Sequence, residues 1–258
     1  MALLVGLFAA GLTAGTLGAL LGLGGGIFLV PLLAHLFGYP LRYAVGASLV
    51  SVLATSAAVA AAEKKGRVAD VSLGLRLEIA TAAGAVLAGW VAAHIPVTLL
   101  GVGFAIVAFG TAWYTLRAHG PHASAEVPSA PGEYQVRRWK IGYAAASLAG
   151  AASGLFGVGG GFLKVPVMQS VMGVPLPVAT ATSNFMIGIT AAASVFVYLG
   201  RGDVLPLVAV PTALGVLMGA TLGVRLQSHI APRLLRWSLA VLLVVLGAQV
   251  LLQGFRPV

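Results

Sequence analysis

Read for apolar and polar positions, the chain resolves into ten apolar runs, at about 2–22, 25–37, 41–62, 71–93, 96–117, 140–157, 160–172, 176–199, 204–226 and 231–252. Crossing a hydrocarbon core of about 30 Å takes roughly 20 helical residues. Eight of the runs approach or exceed that length. Runs 25–37 and 160–172 fall short, and each follows a cluster of glycines. Between the fifth and sixth runs lies a polar stretch with Pro121, Glu126, Pro128, Pro131, Glu133, Arg137 and Arg138, which reads as an exposed linker. The predicted organisation is a membrane unit over 1–117, a linker over 118–138 and a second membrane unit over 139–258. The opening MALLVGLFAAG has no basic segment before its apolar run, so it reads as a retained first helix.

Composition agrees with that pattern. Hydrophobic residues make up 59% of the 258 and charged ones 8%, with a mean hydropathy of +1.02, outside the range of soluble domains. A net charge of +9 would point to nucleic acid in a soluble protein. Here the basic residues sit in loops beside apolar runs, where they act as topology signals, and no nucleic-acid partner is expected. Without cysteine, thiol chemistry and disulfides are excluded.

The two short runs belong to a repeat. Residues 21–33 read LGLGGGIFLVPLL and residues 156–168 read FGVGGGFLKVPVM, so an offset of 135 lays Gly24, Gly25 and Gly26 on Gly159, Gly160 and Gly161, and Pro31 on Pro166. Glycine costs roughly 1 kcal/mol per residue inside a helix, so each triplet predicts a break with a short helix restarting behind it. The same offset matches Gly38 and Pro40 with Gly173 and Pro175, Ser48 with Ser183, and Gly84 with Gly219, the mark of a duplicated five-segment unit. If every run crosses, five crossings per copy turn the second copy over; the alternative, with runs 25–37 and 160–172 re-entrant, gives four crossings and splits the fifteen basic residues, Lys164 apart, ten to four. Matching loops then carry opposite basic bias: Lys64, Lys65, Arg67 and Arg76 follow the third run, whereas only Arg201 follows the eighth. Of the fifteen Lys and Arg, eleven fall on the linker side and three (Arg42, Arg201, Arg256) on the other, while Lys164 is intramembrane. The linker is therefore predicted to be cytoplasmic, with both termini outside. The expected fold is an all-α polytopic membrane protein of two inverted five-segment repeats, each with a broken helix, which is a transporter signature.

The paired boxes GLGGGIFLVPLL and GVGGGFLKVPVM, each followed by a Gly-x-Pro turn and the small-residue stretches AVGASL and ATATSN, resemble the TauE/SafE sulfite and sulfonate exporter family, also called DUF81 or TSUP, over essentially the whole length. The resemblance implies a small carrier that moves sulfite, an organosulfonate or a related organic anion outward across a bacterial plasma membrane.

The residues make an anion chemically reasonable. A helix N-terminus carries about half a positive charge and unpaired N–H groups, and glycine lets an oxyanion approach that backbone. The candidate substrate-binding set is Gly24, Gly25, Gly26, Ser48, Gly159, Gly160, Gly161, Lys164, Thr180, Ser183 and Asn184. Lys164 leans back over the turn of Gly160 and Gly161, where its ammonium meets an anion or else bonds buried carbonyls; its counterpart is Leu29. Thr180, Ser183 and Asn184 share one helix face, as oxyanion donors or as close-packing contacts. The six acids, Glu63, Asp70, Glu78, Glu126, Glu133 and Asp203, read as lying in or near loops, which leaves no carboxylate for a midmembrane proton relay. Export driven by membrane potential is then the expected energetics, with any proton coupling arising from the substrate or Lys164. No nucleophile–base pair, HExxH, CxxC or phosphate loop is present, and no metal or cofactor is expected. The partners expected are a small anion and the lipid bilayer. An anion channel of the same architecture and a non-transporting membrane subunit remain as alternatives.

Overall fold

The computed structural model describes residues 1–21, 24–62, 69–117, 134–157 and 159–226, with a few positions between 237 and 249. Gly22, the basic residues Lys64, Lys65, Arg67, Arg233, Arg236 and Arg256, the acids Glu63, Glu126 and Glu133, and linker residues 118–133 lie outside the described set. Among the described residues the chain is all helix and connection. The helices are α1 (Ala2–Leu21), α2 (Gly26–Pro31), α3 (Leu41–Ala62), α4 (Val71–Ala92), α5 (Val97–Arg117), α6 (Trp139–Phe156), α7 (Gly161–Ser170), α8 (Leu176–Gly200) and α9 (Pro206–Leu226). α2 continues as a π-turn over Leu32–Leu36, just past Pro31, whose ring nitrogen has no proton for the helix ladder.

Five of these helices are long and apolar enough to cross a membrane: α1, α3, α4, α8 and α9. α2 with its π-turn and α7 are each about 15 Å long at roughly 1.5 Å per residue, half of a bilayer core. Their surroundings are protein. Every residue of α2 is buried, in a core that includes Leu33, Leu49 and Phe104. Met168 of α7 lies in a second core with Leu73, Leu77, Met172 and Met186. Interrupted backbone at membrane depth is tolerated only under such cover.

Glycine sets the helix pairing. α1 lies along α9 so closely that a β-carbon on Gly15 would overlap the Val216 carbonyl, and one on Gly219 would overlap the Leu12 carbonyl. α6 lies along α4 in the same manner, with Gly150 against the Thr81 carbonyl and Gly84 against the Ser147 carbonyl. Small residues at four-residue spacing permit this backbone approach between membrane helices. The contacts correspond at the sequence offset of 135: Gly15 and Val216 match Gly150 and Thr81, and Leu12 and Gly219 match Ser147 and Gly84. At that offset α9 packs on α1 as α4 packs on α6.

α3 and α8 occupy the middle and run antiparallel. Gly46 of α3 meets Asp203, just beyond the end of α8, whereas Ser56 near the other end donates to the Asn184 carbonyl at 2.9 Å. Arg201 pairs with Asp203 at 2.7 Å, and Arg42 approaches the same carboxylate at 3.9 Å. Arg42 and Arg201 therefore share one membrane face, as their charge assignment required. At the opposite face Asp70 caps α4 by accepting from the Leu73 amide at 2.9 Å, the usual service of an aspartate to the unpaired donors of a helix start. Its second oxygen accepts from the Tyr134 hydroxyl at 2.7 Å, and its amide donates to Thr182 Oγ1 at 2.9 Å, tying the end of the linker to α4 and α8.

Candidate functional site

Both glycine clusters are breaks. Gly24 and Gly25 have φ of 78° and 71°, and Gly159 and Gly160 have φ of 84° and 73°. These are left-handed values open to glycine at little cost. α2 starts behind Gly25 and α7 behind Gly160.

The two breaks meet. A β-carbon on Gly26 would overlap the Gly157 carbonyl from the other unit. Ser48 Oγ donates to that carbonyl at 2.8 Å and lies 3.3 Å from the Gly26 carbonyl, so one hydroxyl bridges both breaks. One pair of side chains also fills the space beside each break. A β-carbon on Gly24 would stand 3.4 Å from Ile187 Cγ2 and 3.6 Å from Val52 Cγ1; on Gly159 the same atoms would lie at 3.0 and 3.2 Å. Val52 and Ile187 are themselves equivalent positions of the repeat, and both are fully buried and pack with Ala191.

The predicted site residues divide on this geometry. Gly26 meets Gly157, and Gly24 and Gly159 meet at Val52 and Ile187; Gly25, Gly160 and Gly161 adjoin them in the two breaks, Gly25 against Ala14 and Gly160 against Ala149. Ser48 is brought to them, but it gives its single proton to Gly157 and serves as a tie between the breaks. Ser183 is buried on α8 and its hydroxyl has no hydrogen-bond partner among the described residues. It lies one turn before Ile187, on the face turned to the breaks. Asn184 is half-buried and accepts from Ser56 through its backbone. Thr180 lies in the first turn of α8, and its side chain is outside the described ones, as is that of Pro166.

Lys164 has buried polar partners of its own. It is 4% exposed in the first turns of α7, its amide bonding the Gly160 carbonyl at 3.3 Å. Its ammonium donates to Thr190 Oγ1 at 2.8 Å and stands 3.5 Å from Glu78 Oε2. Thr190 Oγ1 lies 2.6 Å from Glu78 Oε1 and 3.0 Å from the Met186 carbonyl. The reading of Glu78 as a loop-side acid is therefore corrected. It lies two turns into α4, about 10 Å from the helix start. It is 3% exposed. The sequence carried a signal for this. Glu78 stands four residues after Gly74, three before Thr81 and seven before Ala85, all of them buried, and this spacing defines one small-residue face of a helix. With a carboxylate inside the membrane, the premise for purely potential-driven export falls. The offset of 135 places Leu29, Thr55 and Ala213 opposite Lys164, Thr190 and Glu78, so the charged pair, which joins residues 1–117 to residues 139–258, has an uncharged counterpart at the equivalent positions.

Comparison with known proteins agrees with this architecture. The family model described as "Sulfite exporter TauE/SafE" matches residues 7–250. The chain is 28% identical over 262 residues to "Probable membrane transporter protein YunE" of Bacillus subtilis (strain 168), covering 95% of this chain and 96% of that protein. It is 25% identical over 257 residues to "Probable membrane transporter protein MJ0441" of Methanocaldococcus jannaschii, covering 94% and 93%. No solved structure is a significant match. The chain belongs to the TauE/SafE family: it is a multi-pass membrane transporter and not an enzyme.

Proposed function

We propose that this transporter carries a small anion, sulfite or an organosulfonate, out of a bacterial cytoplasm by alternating access between two inverted repeats, with both termini outside. The observation that carries the reading is the convergence of the two breaks, Gly24–Gly26 and Gly159–Gly161, on Val52 and Ile187. Helix N-termini aimed at a common point concentrate positive potential and free N–H groups, the setting in which transporters hold anionic substrates. Ser183 supports it: its hydroxyl is fully buried and without a partner, and such a group has a proton to offer an oxyanion. Gly159, Gly160, Gly161, Lys164, Thr180, Ser183 and Asn184 would line one side of the substrate position, and Gly24, Gly25 and Gly26 the other, while Ser48 holds the two sides together. Inversion of the repeats is supported by antiparallel α3 and α8 and by the exchanged packing of α1 with α9 and α6 with α4. The Val52–Ile187 contact favours a carrier over an open channel, since it seals the space between the breaks.

The test is flux of labelled sulfite and of methanesulfonate into liposomes holding the purified protein. Saturable uptake that accelerates when the same anion is present on the far side is expected of a carrier. Flux that rises linearly with concentration and shows no counter-exchange would identify a channel, and absence of flux with every anion would end the anion reading.

A further inference from the structure

Resting on that anion reading, we propose that Glu78, Thr190 and Lys164 form a proton-coupling site: an arriving anion becomes the partner of Lys164 while Glu78 takes up one proton from the side the anion came from. The exchange is balanced, Glu78 carboxylate, proton and anion giving Glu78 carboxylic acid and an anion held by the Lys164 ammonium.

Three observations support it. First, the ammonium already has a carboxylate 3.5 Å away. An anion reaching Lys164 from the neighbouring break at Gly160 would place a second negative charge beside Glu78 in a low-dielectric interior, and two such charges cannot both persist on one cation. Protonation of Glu78 removes the conflict. Second, Thr190 fits both states. With Glu78 ionised, the Thr190 proton points to Oε1 at 2.6 Å and its lone pair accepts from Lys164 at 2.8 Å. With Glu78 protonated, the carboxylic acid donates to Thr190, whose own proton turns to the Met186 carbonyl at 3.0 Å. A hydroxyl has one proton and two lone pairs, so Thr190 can accept from the acid and from Lys164 together, while the ammonium, no longer facing a carboxylate, has its remaining N–H donors for the anion. Third, the charge is constant. The empty site holds one cation and one anion; the loaded site holds one cation, one substrate anion and a neutral acid. Neither moves net charge through the bilayer, where an unpaired charge is expensive.

Other ionisable groups leave the pair to itself. On the elements packed around it, Arg76 of α4 and Lys140 and Tyr143 of α6 are exposed, and Tyr198 of α8 donates to the Gly154 carbonyl at 2.8 Å. The remaining buried charge among the described residues, Asp203, is paired with Arg201. The positions equivalent by the offset of 135 are Leu29 and Ala213, which carry no charge, so one proton accompanies each monovalent anion.

Methanesulfonate is the decisive probe, because it is fully ionised at any pH compatible with the protein and cannot bring a proton itself. In liposomes containing the wild-type protein, a pH dye in the lumen should report one proton taken up per methanesulfonate. A gradient of one pH unit should change its steady-state accumulation tenfold, and a potential set with potassium and valinomycin should leave it unchanged. In Glu78→Gln the empty site carries one positive charge and the loaded site none. Accumulation should then ignore pH and change about 50-fold per 100 mV, the equivalent of about 2.3 kcal/mol per charge. Wild-type methanesulfonate flux without proton movement, or wild-type flux that follows voltage, overturns the proposal whether or not the variant folds; so does proton coupling that survives in Glu78→Gln. If neither methanesulfonate nor sulfite moves in the wild type, the anion reading itself fails, and the coupling site with it.

Discussion

Replacing Gly26 by alanine tests the convergence of the two breaks, because the alternatives predict opposite signs. At the start of an isolated short helix, Gly→Ala removes backbone freedom from the unfolded chain and adds helix propensity, a gain of up to about 1 kcal/mol. In this structure the new methyl would overlap the Gly157 carbonyl and lie 2.9 Å from both Ser48 Oγ and Val52 Cγ2. The carbonyl is backbone in the other unit and cannot rotate away. Relief requires the breaks to separate, which costs about 1–3 kcal/mol of overpacking. Separation also stretches the 2.8 Å bond from Ser48 to Gly157, and a bond of that kind is worth about 1 kcal/mol. The net expectation is a loss of roughly 2–3 kcal/mol, or an unfolding temperature lower by on the order of 5–10 °C. Tryptophan fluorescence of the detergent-solubilised protein during heating reads this directly. Gly110→Ala is the control: no atom of the described residues lies within 4 Å of its β-carbon position in α5, so its unfolding temperature should hold or rise. A Gly26→Ala protein as stable as the Gly110→Ala protein would show that the breaks do not touch.

Lys164→Met strands the Glu78 carboxylate and should cost about 3–5 kcal/mol, whereas adding Glu78→Gln should recover most of that loss without restoring stabilisation by methanesulfonate; a double variant no more stable than Lys164→Met would deny the pairing. Val52→Ala combined with Ile187→Ala empties the space between Gly24 and Gly159, and a chloride-leak assay in liposomes should then show permeability absent from the wild type; tight vesicles would remove the pair as a seal. Tyr134→Phe removes the 2.7 Å hydrogen bond to Asp70. At neutral pH that loss should cost about 1–2 kcal/mol. Burial and the adjacent Asp70 push the Tyr134 hydroxyl above its ordinary value of 10.0. The contribution of this bond is therefore complete below about pH 10 and lost at higher pH, and an unfolding-temperature gap from Tyr134→Phe that stays constant through about pH 11.5 would contradict it. Finally, in a Lys164→Leu, Glu78→Ala background, Leu29→Lys and Ala213→Glu should rebuild the ion pair across Thr55. Their combined destabilisation should be smaller than the sum of the single losses, and strict additivity would show that the two units are not related by the repeat offset.

What could be read in advance followed periodicities that physics enforces strongly. Membrane helices announce themselves by apolar length, and three adjacent glycines announce a break, so the bounds of α2 and α7 fell within a few residues of the predicted runs. The duplicated boxes also placed Ser48 and Ser183 at equivalent positions before any coordinates. Which of the equivalents would offer a free donor was beyond reach. Ser48 and Ser183 are the same residue at matching sites, yet one hydroxyl is donated to the Gly157 carbonyl and the other is unpartnered, a difference set by the packing of each break. Glu78 was misplaced for a different reason. A single carboxylate near a helix start is compatible with a loop-side position, and only the match between its phase and the buried face of Gly74, Thr81 and Ala85 argues otherwise. A lone buried acid would be forbidden on energetic grounds. Once Lys164 is recognised as buried, its counter-charge has to be found within the same interior, and among the described residues Glu78 is the acid whose helix and phase can supply it. Buried charges in a membrane protein are therefore best assigned in pairs: the cation that the sequence singles out determines where the missing anion must lie.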